Sequence, residues 1–257
     1  LWWSDTLVFL AAGSRGVILL DCSDPGAPEP LVRVETPGSS RRLARRGDIL
    51  YVADEIGGLA IVDARRPDRA RIRRTIRTSS QVRSVSVDGE FLAIAEGAGG
   101  ARVFDISRPD RPQRVVALDR RETAADVLLA GDTLLIADGQ FGLRAYARDR
   151  RGAWSGPDTV AVTGRVTGLG RRDQVVYVGT GREGIWFLRI VGPGQLTTIG
   201  QVALPRSFPA GRAAAASETR LLVAAGVGGT AVLDVADLEA PKVLVPEEKA
   251  LEVRWGD

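Results

Sequence analysis

The chain is a succession of short apolar runs rich in Val, Ile and Leu, separated by Gly, Pro and charged residues. Such runs are too short for amphipathic helices and lack apolar positions at three-and-four spacing, so they predict β-strands. The runs also repeat. Leu50-Tyr51-Val52-Ala53-Asp54-Glu55-Ile56-Gly57-Gly58-Leu59-Ala60-Ile61-Val62-Asp63 returns as Leu92-Ala93-Ile94-Ala95-Glu96-Gly97-Ala98-Gly99-Gly100-Ala101-Arg102-Val103-Phe104-Asp105. The pattern recurs at 134–146, 176–188 and 221–234, and begins at 7–21. Its marker glycines, Gly16, Gly58, Gly100, Gly142, Gly184 and Gly229, lie 42, 42, 42, 42 and 45 residues apart. A fixed period of this length signals a repeat architecture.

Each copy divides into four strands, which in the second copy are predicted at 41–45, 49–53, 59–63 and 71–76. The Gly57-Gly58 pair supplies the positive φ of a tight hairpin between the second and third strands. Asp63-Ala64-Arg65-Arg66-Pro67-Asp68 and Asp105-Ile106-Ser107-Arg108-Pro109-Asp110 read as proline-set turns into the fourth. Four antiparallel strands per unit make the blade of a propeller. The prediction is an all-β, six-bladed β-propeller filling residues 1–257 as one domain. Because the chain starts near the second strand of blade one, and 250–257 ends like a first strand, the N- and C-terminal strands are expected to share that blade. That closure leaves no open sheet edge. Trp2 and Trp3 then pack at the seam or mark a surface patch.

These repeats resemble the LVIVD family of bacterial and archaeal propeller repeats. The resemblance rests on Leu59-Ala60-Ile61-Val62-Asp63, the preceding Tyr51-Val52-Ala53-Asp54, the Gly57-Gly58 turn and the Asp105-Ile106-Ser107-Arg108-Pro109 turn. It implies a propeller that is frequently exported or surface-associated, and it implies no reaction. Copies four and five depart, with Ala147 and Arg189 where Asp is expected and their proline turns lost, which weakens the turn geometry there. On this resemblance the chain is expected to be extracytoplasmic (periplasmic or cell-surface) and membrane-peripheral. It begins Leu1-Trp2-Trp3 without Met and is read as processed or truncated, any signal or anchor lying upstream. No apolar run approaches the roughly 18 residues of a membrane span.

Composition is that of an ordinary globular protein, 44% hydrophobic and 26% charged. The charge is unevenly spread: residues 41–83 carry twelve arginines against five acids, while 213–257 carry four basic residues against eight acids. Apart from Lys242 and Lys249, every basic residue is arginine. Two readings stand, codon bias in a GC-rich genome and a basic sector that docks other proteins or an anionic membrane surface. The docking candidates are Arg41, Arg42, Arg45, Arg46, Arg65 and Arg66, with Trp2 and Trp3. Nucleic acid is disfavoured, since the arginines lack an interleaved aromatic ladder and no recognition helix is present.

Histidine is absent, which removes the usual general base, the commonest zinc ligand and any Ser-His-Asp triad. Cys22, the single cysteine, reads as a small buried residue where sister repeats carry Ala64 and Ile106. Asp54, Glu96 and Asp138 follow the second strand in three consecutive blades. They are read either as carboxylates converging on calcium or, in the simpler view, as solvated turn residues beside glycine. Asp21, Asp63, Asp105 and Asp234 are expected to fix their turns by accepting backbone N–H bonds. Arg41, Arg83, Asp126 and Arg212 are placed on first strands facing a central channel, whose basic mouth suits an anionic ligand. A one-residue error of register there flips the face. The expected function is a non-catalytic interaction propeller without cofactor, an extrinsic subunit docking onto a larger membrane assembly. The alternatives are a small-molecule or calcium-binding propeller using the channel mouth, and a carboxylate-based carbohydrate-active enzyme.

Overall fold

The computed structural model describes residues 2–4, 6–118, 123–204, 213–215, 217–224 and 229–246. Six four-stranded sheets follow one another along the chain. Blade one is β1 (Trp2–Ser4), β2 (Leu7–Ala11), β3 (Val17–Asp21) and β4 (Glu29–Val34). Blade two is β5 (Arg42–Arg46), β6 (Ile49–Ala53), β7 (Leu59–Asp63) and β8 (Arg71–Ile76). Blade three is β9 (Ser84–Asp88), β10 (Phe91–Ala95), β11 (Ala101–Asp105) and β12 (Gln113–Leu118). Blade four is β13 (Asp126–Ala130), β14 (Thr133–Ala137), β15 (Leu143–Arg148) and β16 (Trp154–Val160). Blade five is β17 (Gly168–Arg172), β18 (Val175–Gly179), β19 (Ile185–Gly192) and β20 (Gln195–Val202). Blade six is β21 (Ala213–Ala215), β22 (Arg220–Ala224), β23 (Thr230–Asp234) and β24 (Lys242–Pro246). The fold is a six-bladed β-propeller. The chain divides into two compact units, 1–131 and 132–257, the first holding three blades and β13.

One part of the closure read from the sequence, a blade one without a full first strand of its own, needs correction. Blade one takes its first strand from Trp2–Ser4, which pairs antiparallel with β2 through Trp2–Phe9, Trp3–Val8 and Ser4–Leu7. The local chain therefore completes this blade, and residues 250–257 lie outside the described residues, as does the insertion at 205–211. Arg212 lies outside them too.

In the first unit the middle strands of blade two show why the apolar runs are continuous rather than alternating. Leu50, Val52, Ala60 and Val62 pack on Phe9, Val17 and Leu19 of blade one. Tyr51, Ala53, Leu59 and Ile61 pack on Val85, Leu92, Ile94 and Phe104 of blade three. The two alternating sets point to opposite faces, and each face has a neighbouring blade to bury it. In the second unit, Tyr177 meets Phe187 edge-on at 5.9 Å and 74°, within a core that includes Leu221, Val223 and Leu233.

Turns and bulges fix the repeat. Gly58 sits at φ +84°, and a Cβ there would lie 2.4 Å from the Ile76 carbonyl oxygen at the end of β8. Only glycine satisfies both demands. Outer strands carry a bulge at one position in all six blades, opposite Leu19/Leu20, Ile61/Val62, Val103/Phe104, Ala145/Ala147, Phe187/Leu188 and Val232/Leu233. Bulges bend an edge strand and leave it a poor template for further pairing. Where copies four and five lose the aspartate, the chain substitutes other turns. In blade four, Asp149 accepts the N–H groups of Arg151 and Ala153 at 2.8 and 2.9 Å. In blade five, β19 and β20 each lengthen to eight residues around a Pro193-Gly194 turn.

Ile61→Ala, at a fully buried position, is expected to lower unfolding free energy by about 2–5 kcal/mol in denaturant titrations. Gly58→Ala is expected to lose about 1–3 kcal/mol, clearly more than Gly47→Ala, whose positive-φ site has nothing within 4 Å of an added Cβ.

Candidate functional site

Three chemically different residues occupy one repeat position at the start of consecutive first strands: Arg42, Ser84 and Asp126. Ser84 Oγ donates to Asp126 Oδ1 at 2.6 Å, and the Arg42 guanidinium donates to Ser84 Oγ at 2.6 Å and to Asp126 Oδ1. The Val127 N–H adds a bond of 2.8 Å to the same oxygen. Asp126 is buried and the Arg42 side chain is 17% exposed. A buried ion is tolerable only when paired and hydrogen-bonded, and this ladder meets both conditions. Arg42 is therefore committed inside the fold and not to an outside partner. The sequence reading grouped Asp126 with Arg41 and Arg83, which is one residue out of register. The true equivalent of Arg41 and Arg83 is Ala125.

Asp54, Glu96 and Asp138 are buried, not solvated, so the simpler sequence reading is corrected. Asp54 accepts from Thr36 Oγ1 at 2.6 Å, Ser40 Oγ at 3.1 Å and the Gly38 N–H at 2.7 Å. It thereby fastens the linker between blades one and two to its own hairpin. Glu96 pairs with Arg102 at 2.8 Å and Asp138 with Arg144 at 3.2 Å. Each arginine stands one register step inside its hairpin, opposite Ile94 and Ile136, where blade two has Ala60 and uses hydroxyls instead. No group of three His, Cys, Asp or Glu side chains gathers at metal-ligating distance among the described residues.

A cleft of about 400 Å³ opens above these strands, lined by Arg41, Glu55, Gln81, Arg83 and Ala125. Paired hairpin and linker backbones build it: Glu55 bridges Val82, and Gly97 bridges Ala124. The first bridge carries Gln81 and Arg83 beside Glu55, and the second carries Ala125 beside Arg83. Glu55 accepts from Arg41 Nε at 2.5 Å. Its backbone has φ +45°, at the place where the other five copies carry Gly13, Gly97, Gly139, Gly181 and Gly226. Holding a non-glycine residue in this left-handed region costs about 1–2 kcal/mol. The signal in the sequence for this residue is a lone Glu among five glycines at one repeat position.

The remaining docking candidates separate by how they are used. Arg45 lies 5.2 Å from the Phe9 ring centroid and 3.4 Å from Asp48. Arg46 donates to the Ile106 carbonyl and lies 3.6 Å from Glu90, in a second cleft of about 460 Å³ that also holds Arg65, Arg73 and Asp110. Arg65 pairs with Asp63 at 2.5 Å. By contrast Arg66, Arg71, Arg74, Arg77 and Arg83 are exposed, and no acid pairs with them among the described residues. Arg71 and Arg74 share a face of β8, because their partners Asp63 and Ile61 are two residues apart. Trp2 and Trp3 lie in β1. Cys22 is half-buried rather than buried.

The recurrent aspartates close their turns. Asp21, Asp63, Asp105 and Asp234 accept the N–H of Ser23, Arg65, Ser107 and Ala236 at 2.8, 3.2, 2.6 and 3.0 Å. The Ser23 hydroxyl and then its N–H hold the Asp21 carboxyl below its ordinary value, and the N–H groups of Ser107 and Ala236 do the same for Asp105 and Asp234. At Asp63 the Arg65 side chain is the main cause, and the carboxyl falls to about 2. Tyr51, buried and donating to the Pro109 carbonyl at 2.7 Å, is pushed up by that burial.

LVIVD repeats match over residues 37–64 and 80–117. No curated protein matches the chain. Among solved structures, a functionally unknown protein from Desulfotomaculum acetoxidans DSM 771 superimposes with a TM-score of 0.74 at 12% identity, over 94% of this chain and 79% of that one. The periplasmic gluconolactonase PpgL of Pseudomonas aeruginosa gives 0.69 at 17% identity, over 92% and 79%. The computationally designed Ika8 protein gives 0.69 at 16%, over 95% and 72%. At these identities the likeness is one of fold. No helix among the described residues is long and apolar enough to cross a membrane.

Asp63 binds its proton more weakly folded, at about 2, than at its ordinary 3.8. Its contribution to stability is therefore complete above about pH 4 and lost as pH falls through 2. Asp63→Asn is expected to flatten that part of the acid-unfolding curve, as read by circular dichroism between pH 5 and 2. Asp126→Ala, which strands the Arg42 charge, is expected to cost about 3–5 kcal/mol in urea titration.

Proposed function

We propose that this LVIVD-repeat propeller is a non-catalytic interaction module that docks an acidic partner protein through the outer arginines of its second blade. The carrying observation is the division of labour among the arginines of 41–83. Arg41, Arg42, Arg45, Arg46, Arg65, Arg69 and Arg73 each meet an acid of the same chain, while Arg66, Arg71, Arg74 and Arg77 stand exposed along β8 and its flanking turns. Solvated guanidiniums with no local acid keep a positive field that attracts and orients an acidic surface. The bulge in β8 makes it a poor template for a further strand, which favours recognition there through side chains. Export and attachment to a membrane assembly belong to the same proposal. They draw on the LVIVD repeats and on the charge asymmetry along the chain.

Affinity isolation of the tagged chain from native membranes in mild detergent tests this. A stoichiometric partner is expected at about 0.1 M salt and is released at about 1 M, where the screening length falls to roughly 3 Å. The triple variant Arg71→Glu/Arg74→Glu/Arg77→Glu should lose the partner while melting near the parent. Recovery of the parent alone at both salts ends the reading.

A further inference from the structure

The cleft at the entries of blades two, three and four carries an inference independent of the outer arginine face. One repeat position supplies Arg41, Arg83 and Ala125, and a second, on the hairpin tips, supplies Glu55 and Gly97. In blade two the arginine meets a carboxylate, at 2.5 Å. In blade three the equivalent arginine lies against Gly97, where an added Cβ would sit 3.0 Å from Arg83 Nε. Glycine there lets the guanidinium rest on the turn, and no acid meets it among the described residues. In blade four the side chain is reduced to Ala125, which leaves the space beside Arg83 open. Two guanidiniums, one carboxylate and the Gln81 carboxamide thus surround an open volume with net positive charge.

We infer that this cleft binds a small oxyanion, a carboxylate or a phosphate, with Arg83 as its principal contact and Arg41 as the second. Guanidinium forks match the two oxygens of either group. Glu55 acts as the positioning residue. Its carboxylate holds Arg41 at the rim, and the chain keeps it at a position where five other copies use glycine and where its own φ is unfavourable. Strain retained at a charged residue in a cleft is the pattern of a functional site. Gln81 and the remaining Glu55 carboxylate edge can contact hydroxyl or amine groups on the same ligand, which favours polar, hydrogen-bonding anions over simple ones.

Titration calorimetry with malonate and with inorganic phosphate, at constant ionic strength set with chloride, tests the inference. Saturable binding of at least one probe is expected, with a dissociation constant of about 1 mM or tighter. Saturation by malonate assigns the carboxylate class, and saturation by phosphate alone assigns the phosphoryl class. Arg83→Gln should weaken that binding at least about tenfold. Glu55→Gly should weaken it too, and yet raise the melting midpoint by about 2–4 °C as the left-handed strain is released. A rise in stability paired with a loss of binding is a result that a purely structural Glu55 does not give. Failure of both probes to saturate, or titrations of the two variants that overlay the parent's, overturns the inference.

Discussion

The blade depends on one close approach. The hairpin joining its second and third strands must pass under the carbonyl that ends its fourth, and at Gly58 and Gly184 an added Cβ would come within 2.4 and 2.0 Å of that oxygen. There the marker glycine fixes hairpin and outer strand together, whereas at Gly142, with nothing within 4 Å of an added Cβ, it is the φ of +84° that calls for glycine. From that anchor the rest of each blade follows. In blades one, two, three and six the third strand leads into an aspartate that folds the chain back, and in every blade the outer strand bulges at the same position before it returns to the glycine.

Within the first unit, polar groups have two kinds of duty. Those at the hairpin bases and first strands join one blade to the next: Asp54 ties a linker, and Asp126 ties Ser84 and Arg42. Others, such as Arg71 and Arg74 on the outer strand of blade two, are exposed and meet no acid among the described residues. Net charge and residue counts treat both kinds alike, since Arg42 and Arg74 are the same letter. Their difference is set by depth, because a guanidinium near the core must be matched within the protein while one at the rim is matched by water.

Most of the fold was legible from the period, because strands buried on both faces give continuous apolar runs and glycine marks the one turn that tolerates nothing else. The predicted strands of blade two are displaced by a residue only at β5. That single step mattered for the site, since it placed Asp126 beside Arg41 and Arg83 instead of beside Arg42 and Ser84. Blade one was misread because Trp2–Ser4 is too short to stand out as a strand without its partner β2. The burial of Asp54 was hidden for another reason. Its partners Thr36, Gly38 and Ser40 precede it by most of a strand pair, and polar linkers ordinarily read as solvated.

The ladder of Arg42, Ser84 and Asp126 has a consequence for assembly of the chain from near-identical parts. Repeated units of similar sequence risk docking out of order, a characteristic failure of such proteins. Hydrophobic faces give little protection, since one blade's Val and Ile resemble the next blade's. A cation, a hydroxyl and a carboxylate at the same position are not interchangeable: a blade seated one place early leaves a buried charge without its counterpart. Blade order is thus written into three side chains that share one address and differ in chemistry.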